Sequence, residues 1–165
     1  MDLRRLTKHL TVPHRTALRA FPPAVLKKIE AAIAGSERLH EGELRFAVEA
    51  GMEPGRIWRG LSPRGRAIEL FSQLRVWDTE HNSGVLIYVQ LVDRTIEIVA
   101  DRGINARVPQ SSWDGICRRM EASFRQEKFE DGALGAISEV TALLAQHFPP
   151  AGPEQNELPN QPVVL

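Results

Sequence analysis

Residues 84–92, GVLIYVQLV, constrain the fold more than any other part of this chain. A strand with one face in water alternates apolar and polar residues, but this one is apolar at both parities, so both faces must be covered. It therefore belongs inside a sheet with helices on each side. Asp93-Arg94 then separates it from TIEIVA at 95–100, a spacing that predicts a tight antiparallel hairpin.

The flanking patterns supply the other layers. Residues 41–49 alternate, with Leu44, Phe46 and Val48 on one side and Arg45, Ala47 and Glu49 on the other, which predicts a strand. Behind Pro23, residues 24–38 carry Val25, Ile29 and Ile33 at helical spacing, with Leu39 as the next inward position. Ser62-Pro63 reads as a cap and first helical residue, opening a helix to about Val76 that faces inward through Ile68, Phe71 and Leu74. Ser111 and Asp114 resemble a capping box ahead of Ile116, Met120 and Phe124. A last helix over 130–148 points Leu134, Ile137, Val140 and Leu144 inward.

The order is helix, strand, helix, strand, strand, helix, helix. A strand–helix–strand crossover is parallel and right-handed, and the hairpin adds an antiparallel neighbour. The fold class is α/β, a three-layer α/β/α sandwich with a small mixed sheet. Residues 1–39 are read as a helical segment, broken at Pro13, that packs on a domain over 40–148. Residues 149–165 form a Pro-rich tail that is either disordered or docked through Val163, Val164 and Leu165.

Charge and composition narrow the function. Lys+Arg and Asp+Glu both number 21, giving a formal net charge of zero, which lacks the electrostatic footprint of a general nucleic-acid binder. Residues 1–15 hold no apolar run of signal-peptide length, and 85–89 is far short of the ~20 residues that span a bilayer. The expectation is a cytoplasmic chain with no transmembrane segment. Cys117 is the single cysteine and falls on the apolar stripe of a helix, so it reads as an inert, buried thiol. Trp58, Trp77 and Trp113 lie near element boundaries and are expected to pack. No zincin, nucleophile-elbow, P-loop or dinucleotide motif occurs.

The hairpin allows a geometric expectation. Pairing Val92 with Thr95 puts Leu86 opposite Asp101 and Gly84 opposite Gly103. Asp101 then meets the chain that carries Asp78, Glu80, His81, Asn82 and Ser83, with Asn105 just beyond Gly103. The candidate metal ligands are Asp101, Asp78, Glu80, Asn82 and Asn105, the carboxylate and amide oxygens that a hard cation such as calcium prefers. Gly103 is expected at positive φ. The structural alternative has Asp101 accepting loop N–H groups and pairing with Arg102 or Arg94. A second mouth competes, at the carboxyl ends of the parallel strands, where Glu49, Gly51 and Asp93 lie.

NSGVLIYV, a short polar turn, IEIVADRGIN, a proline and a tryptophan-led amphipathic helix together resemble the TPM domain. That domain is shared by thylakoid lumen phosphatase-like and photosystem II repair-like proteins, and the likeness is to stand-alone soluble bacterial members. It covers roughly residues 41–148, with EGELRFAVE as first strand, RAIELFSQLRVWDTEHN as crossover and FEDGALGAISEV as final helix. The resemblance implies an α/β/α sandwich acting as a binding or assembly module for a protein or membrane-associated partner. It implies calcium as the cofactor of some members and, as the alternative function, a metal-dependent acid-phosphatase-like phosphomonoesterase. The matching positions are Asp101, Arg102, Gly103 and Ile104. The departure is Ser83, since many relatives carry asparagine directly before the glycine and here Asn82 lies one place earlier.

Overall fold

The computed structural model describes residues 3–13, 15–151 and 156–165. Helices α1 (Leu3–Thr11), α2 (Arg15–Ala20) and α3 (Pro23–Glu37) precede strand β1 (Leu44–Glu49). A short helix α4 (Pro54–Trp58) and then α5 (Pro63–Gln73) lead to β2 (Val85–Gln90) and β3 (Thr95–Ala100). Helices α6 (Arg102–Asn105), α7 (Gln110–Arg125) and α8 (Phe129–His147) follow, and the tail returns as β4 (Val163–Val164). The sheet order is β3-β2-β1-β4, parallel except for the β2–β3 pair.

The mixed α/β sandwich expected from the apolar β2 is present, and every residue of β2 is buried. One face of the sheet, through Leu44, Phe46, Ile87 and Ile98, packs on α2, α3, α7 and α8. The other, through Ala47, Leu86, Tyr88 and Val99, packs on α5 and on Leu158 of the tail. The Ser62 hydroxyl caps α5 as anticipated, accepting from the Gly65 N–H at 3.0 Å.

Several local expectations fail for identifiable reasons. The hairpin is joined by four residues, not two: Gln90 pairs with Thr95, and Val85 with Ala100. A two-residue turn of the favoured type needs positive φ at both positions, whereas here only Arg94 adopts it, at 53°. The shift is by two residues, so it keeps every side chain on its face but sets Gly84, not Leu86, opposite Asp101, whose N–H donates to the Gly84 carbonyl at 2.8 Å. On α5 the buried stripe is Arg66, Ala67 and Leu70, while Ile68 is 51% exposed. Leu39 lies past the end of α3 and is exposed. Helix α7 starts at Gln110 behind Pro109 and has no side-chain cap, so Ser111 and Asp114 form no capping box. Of the three tryptophans only Trp113 is buried.

The tail docks. Val163 and Val164 pair in parallel with Ala47 and Val48, and the Leu165 N–H donates to the Val48 carbonyl at 2.9 Å. On the way it covers a buried polar group at the start of β1. Asn160 donates to Glu37 at 2.8 Å and the Glu157 N–H to Glu43 at 2.9 Å. Burial pulls the neighbouring Arg45 guanidinium below its ordinary range, against the pull of Glu43 and Glu37.

Candidate functional site

Both mouths of the sheet can be read side chain by side chain. At the strand exit, Asp101 directly follows β3 and caps α6, its Oδ1 accepting from the Arg102 N–H at 2.7 Å. Its Oδ2 is buried and has no hydrogen-bond partner among the described residues. Asn82, in the left-handed region at φ 50°, accepts from the Arg102 Nε at 2.9 Å and, through its carbonyl, from the Gly103 N–H at 2.9 Å.

Gly103 does not take positive φ. It is glycine because a Cβ there would sit 2.5 Å from the His81 carbonyl and 2.6 Å from that of Asn82. Two backbones cross at this point, and only a hydrogen fits between them. Ser83 is fully buried and donates to the Glu41 carbonyl at 3.3 Å.

The five candidate ligands are thus only partly gathered. Asp101 and Asn82 share the loop through Arg102. Asp78 is exposed and lies 4.0 Å from Arg75, the Glu80 N–H donates to Glu157, and Asn105 is exposed at the end of α6. Among the described residues no three acids, histidines or cysteines group closely enough to hold a metal ion. A calcium here would lean on Asp101 Oδ2, on loop carbonyls and on water, a donor mix that calcium accepts. Arg94 lies at the far end of β3 and plays no part in this exit.

At the opposite mouth lie Glu49 and Asp93, which the sequence marks, with partners that it does not. Glu49 ends β1 and is gripped by Arg66 of α5, with Nη2 3.0 Å from Oε1, while the Tyr88 hydroxyl donates to Oε2 at 2.5 Å. Glu69 ties Arg66 to Arg56. Burial pulls the Arg66 guanidinium down, but the Glu49 carboxylate outweighs it and holds the arginine above its ordinary range. Burial first, and then the Glu49 charge, push the Tyr88 phenol up. All three side chains are buried, so no ligand reaches them. The sequence marks Glu49 at this mouth but not Arg66, which lies off the apolar stripe of α5.

Beside this network Asp93 anchors α1. Arg5 donates to it through Nε at 3.0 Å and Nη2 at 2.8 Å, and its Nη1 donates to the Leu61 carbonyl at 2.9 Å. His9 accepts from the Met52 N–H at Nδ1, 2.9 Å, and so presents an Nε2–H to Asp93 Oδ1 at 3.1 Å.

Burial alone would raise the Asp93 carboxyl, but hydrogen bonds from Arg5 and His9 hold it below its ordinary value. A folded pKa below the unfolded one gives stability that is complete above the unfolded value of about 4 and lost as pH falls through the folded value. Protection factors of the α1 amides should therefore drop as pH is lowered below about 4. Asp93→Asn should remove that dependence. Protection unchanged down to pH 2 would contradict the anchor.

Among the described residues no conventional nucleophile is set up. Burial, then the charge of Glu97, push the Cys117 thiol up to about 12, so it is not a thiolate at neutral pH. No described serine, threonine or cysteine side chain hydrogen-bonds to a histidine. The two described histidine–carboxylate pairs, His9–Asp93 and His81–Glu41, stand without one.

Residues 19–143 match the TPM domain family. The chain belongs to that family. Its fold is similar to the NMR structure of the BA42 protein from the psychrophilic bacterium Bizionia argentinensis, at 31% identity and a TM-score of 0.74, covering 85% of this chain and 92% of that one. It also resembles the N-terminal domain of a protein from P. gingivalis, at 16% identity and a TM-score of 0.63, covering 87% of this chain and 97% of that one. At that identity the second likeness speaks for the fold alone. No curated protein sequence matches. The TPM match leaves out α1 and β4, and both are tied into the domain here, α1 through Asp93 and β4 through β1. No described helix is long and apolar enough to cross a membrane.

Proposed function

We propose that this TPM domain is a binding or assembly module whose contact surface is the loop at Asp101, with calcium as the ion bound there. The observation that carries the reading is Asp101 Oδ2, a buried carboxylate oxygen without a partner among the described residues. Native structures satisfy such atoms with an ion or water when side chains do not. The loop around it is held by crossing backbones and by the Arg102–Asn82 bond, so this oxygen has a fixed position. The partner in this reading is a protein or another membrane-associated component.

Calcium titration by calorimetry and by amide NMR tests this. The expected result is saturable binding, with shifts confined to residues 79–84 and 101–106, that Asp101→Ala abolishes. No binding at millimolar calcium, or binding that survives Asp101→Ala unchanged, would remove the ion from the proposal. The competing phosphomonoesterase reading needs an oriented nucleophile and neutralisation of the transferring group. Arg102, the adjoining cation in the chain, is turned onto Asn82 instead. Turnover of p-nitrophenyl phosphate that Asp101→Asn eliminates would favour the enzyme.

A further inference from the structure

At the end of the hairpin away from Asp101, a cleft of 720 Å³ opens between α1 and the β2–β3 turn, with Arg4, Arg5, Lys8 and Arg94 along its walls. Its one acid among the described residues, Asp93, is already bonded to Arg5 and His9. Lys8 and Arg94 are exposed, and their side chains make no hydrogen bond or ion pair with a described residue. In a chain of zero formal net charge this is a local excess of cations, not a reflection of composition.

A second hollow, of 270 Å³, adjoins it between α2, the strand ends and the α7–α8 turn, and its walls combine apolar Val89, Ile96, Phe124 and Phe129 with the charged Glu121, Arg125 and Glu127. Thr16, Leu91 and Arg94 line both hollows and form their common wall. A largely apolar recess with a few charged groups is the usual make-up of a small-molecule site.

We propose that the two hollows form one site for a small amphiphilic anion, with its apolar arm against Phe124, Phe129 and Ile96 and its phosphate or carboxylate head at Lys8 and Arg94. The size of the recess sets the arm. A cavity of ~150 Å³ takes a benzene ring, so 270 Å³ suits a ring or a short aliphatic chain and not the paired chains of a membrane lipid. Arginine and lysine supply the charge-assisted donors that such a head requires.

Arg94 holds its position at a positive φ of 53°, a conformation that glycine adopts more readily, so the turn carries a cation where backbone preference alone would not put one. Arg4, Lys8 and Thr16 all precede residue 19, where the family match begins, so this wall comes from residues outside the matched segment. The site needs no calcium at Asp101 and stands or falls separately from it.

Calorimetry and amide NMR on the full chain, with octyl phosphate, inorganic phosphate and octanol as probes, test the two halves. Octyl phosphate should bind at least tenfold more tightly than inorganic phosphate, and octanol should not saturate. Amides of Leu91, Ile96, Phe124 and α1 should shift. Arg94→Gly relaxes the backbone while deleting the charge, and Lys8→Glu reverses a charge on an exposed helix face, so both variants should fold. Each should weaken octyl phosphate at least tenfold. Equal affinity for octyl and inorganic phosphate, or octyl phosphate affinity unchanged in both variants, would overturn the proposal. So would attachment to phosphatidylglycerol vesicles that saturating octyl phosphate does not reverse, because the ligand would then be a membrane surface.

Discussion

Gly84→Ala is expected to unfold the domain or to lower its stability by ~3 kcal/mol or more, the upper range for a forced overlap in a packed interior. A Cβ at this position would lie 1.8 Å from the Val76 carbonyl oxygen and 2.9 Å from its carbon. Those are backbone atoms, so no rotamer change relieves the clash. The Val76 N–H is itself tied to the Phe71 carbonyl at 3.0 Å, which holds the segment after α5 in place. Urea unfolding followed by circular dichroism measures the loss. A variant within ~1 kcal/mol of the parent would mean that residues 74–84 shift as a body, and the account of this crossing would be wrong. Gly135 is the matched control, because a Cβ added there would meet nothing within 4 Å. Gly135→Ala in α8 should be neutral or stabilising by up to ~1 kcal/mol.

Arg66→Met should cost ~3–5 kcal/mol, the usual penalty for leaving one charge of a buried pair alone. The Arg66 and Glu49 side chains are only 9% and 7% exposed, and Arg66 bonds Glu49 through both Nε and Nη2. Without it, the Tyr88 hydroxyl is left to satisfy the Glu49 carboxylate. The double variant Glu49→Leu/Arg66→Met should recover most of that loss, since an apolar replacement of a buried pair is often neutral or better. Thermal and urea unfolding of the four-member cycle measure the coupling. A double variant as unstable as the single one would show that shape at this spot, and not charge, sets the cost.

The two variants differ in how far the sequence reveals their sites. The central placement of β2, its helix-covered faces and its antiparallel partner are readable because side-chain period depends only on backbone geometry. Pairing register is not, since it depends on the turn, and the turn is held by groups distant in sequence. Asp93 is fixed by Arg5 and His9 of α1 and by the Gln90 side chain, which accepts from its N–H. The stripe on α5 escapes the apolar pattern for a related reason. Arg66 turns inward to meet Glu49, which displaces Ile68 to the surface. An apolar count assigns such a helix the wrong face when its inward residue is an ion-paired arginine. Asp101 is legible as a candidate because it ends a strand beside a glycine, but the fate of its two oxygens is not.

The sequence by itself determined the α/β/α class, the hairpin and the family, and marked Asp101 and Asn82 as candidates at the strand exit. These follow from local periodicity and from short-range motifs. The tertiary structure alone decided the four-residue turn, the buried Glu49–Arg66–Tyr88 group, the docking of the tail as β4 and the adjoining hollows at Arg94. Each of these rests on contacts between residues far apart in the chain, and such contacts leave no period in the sequence to read.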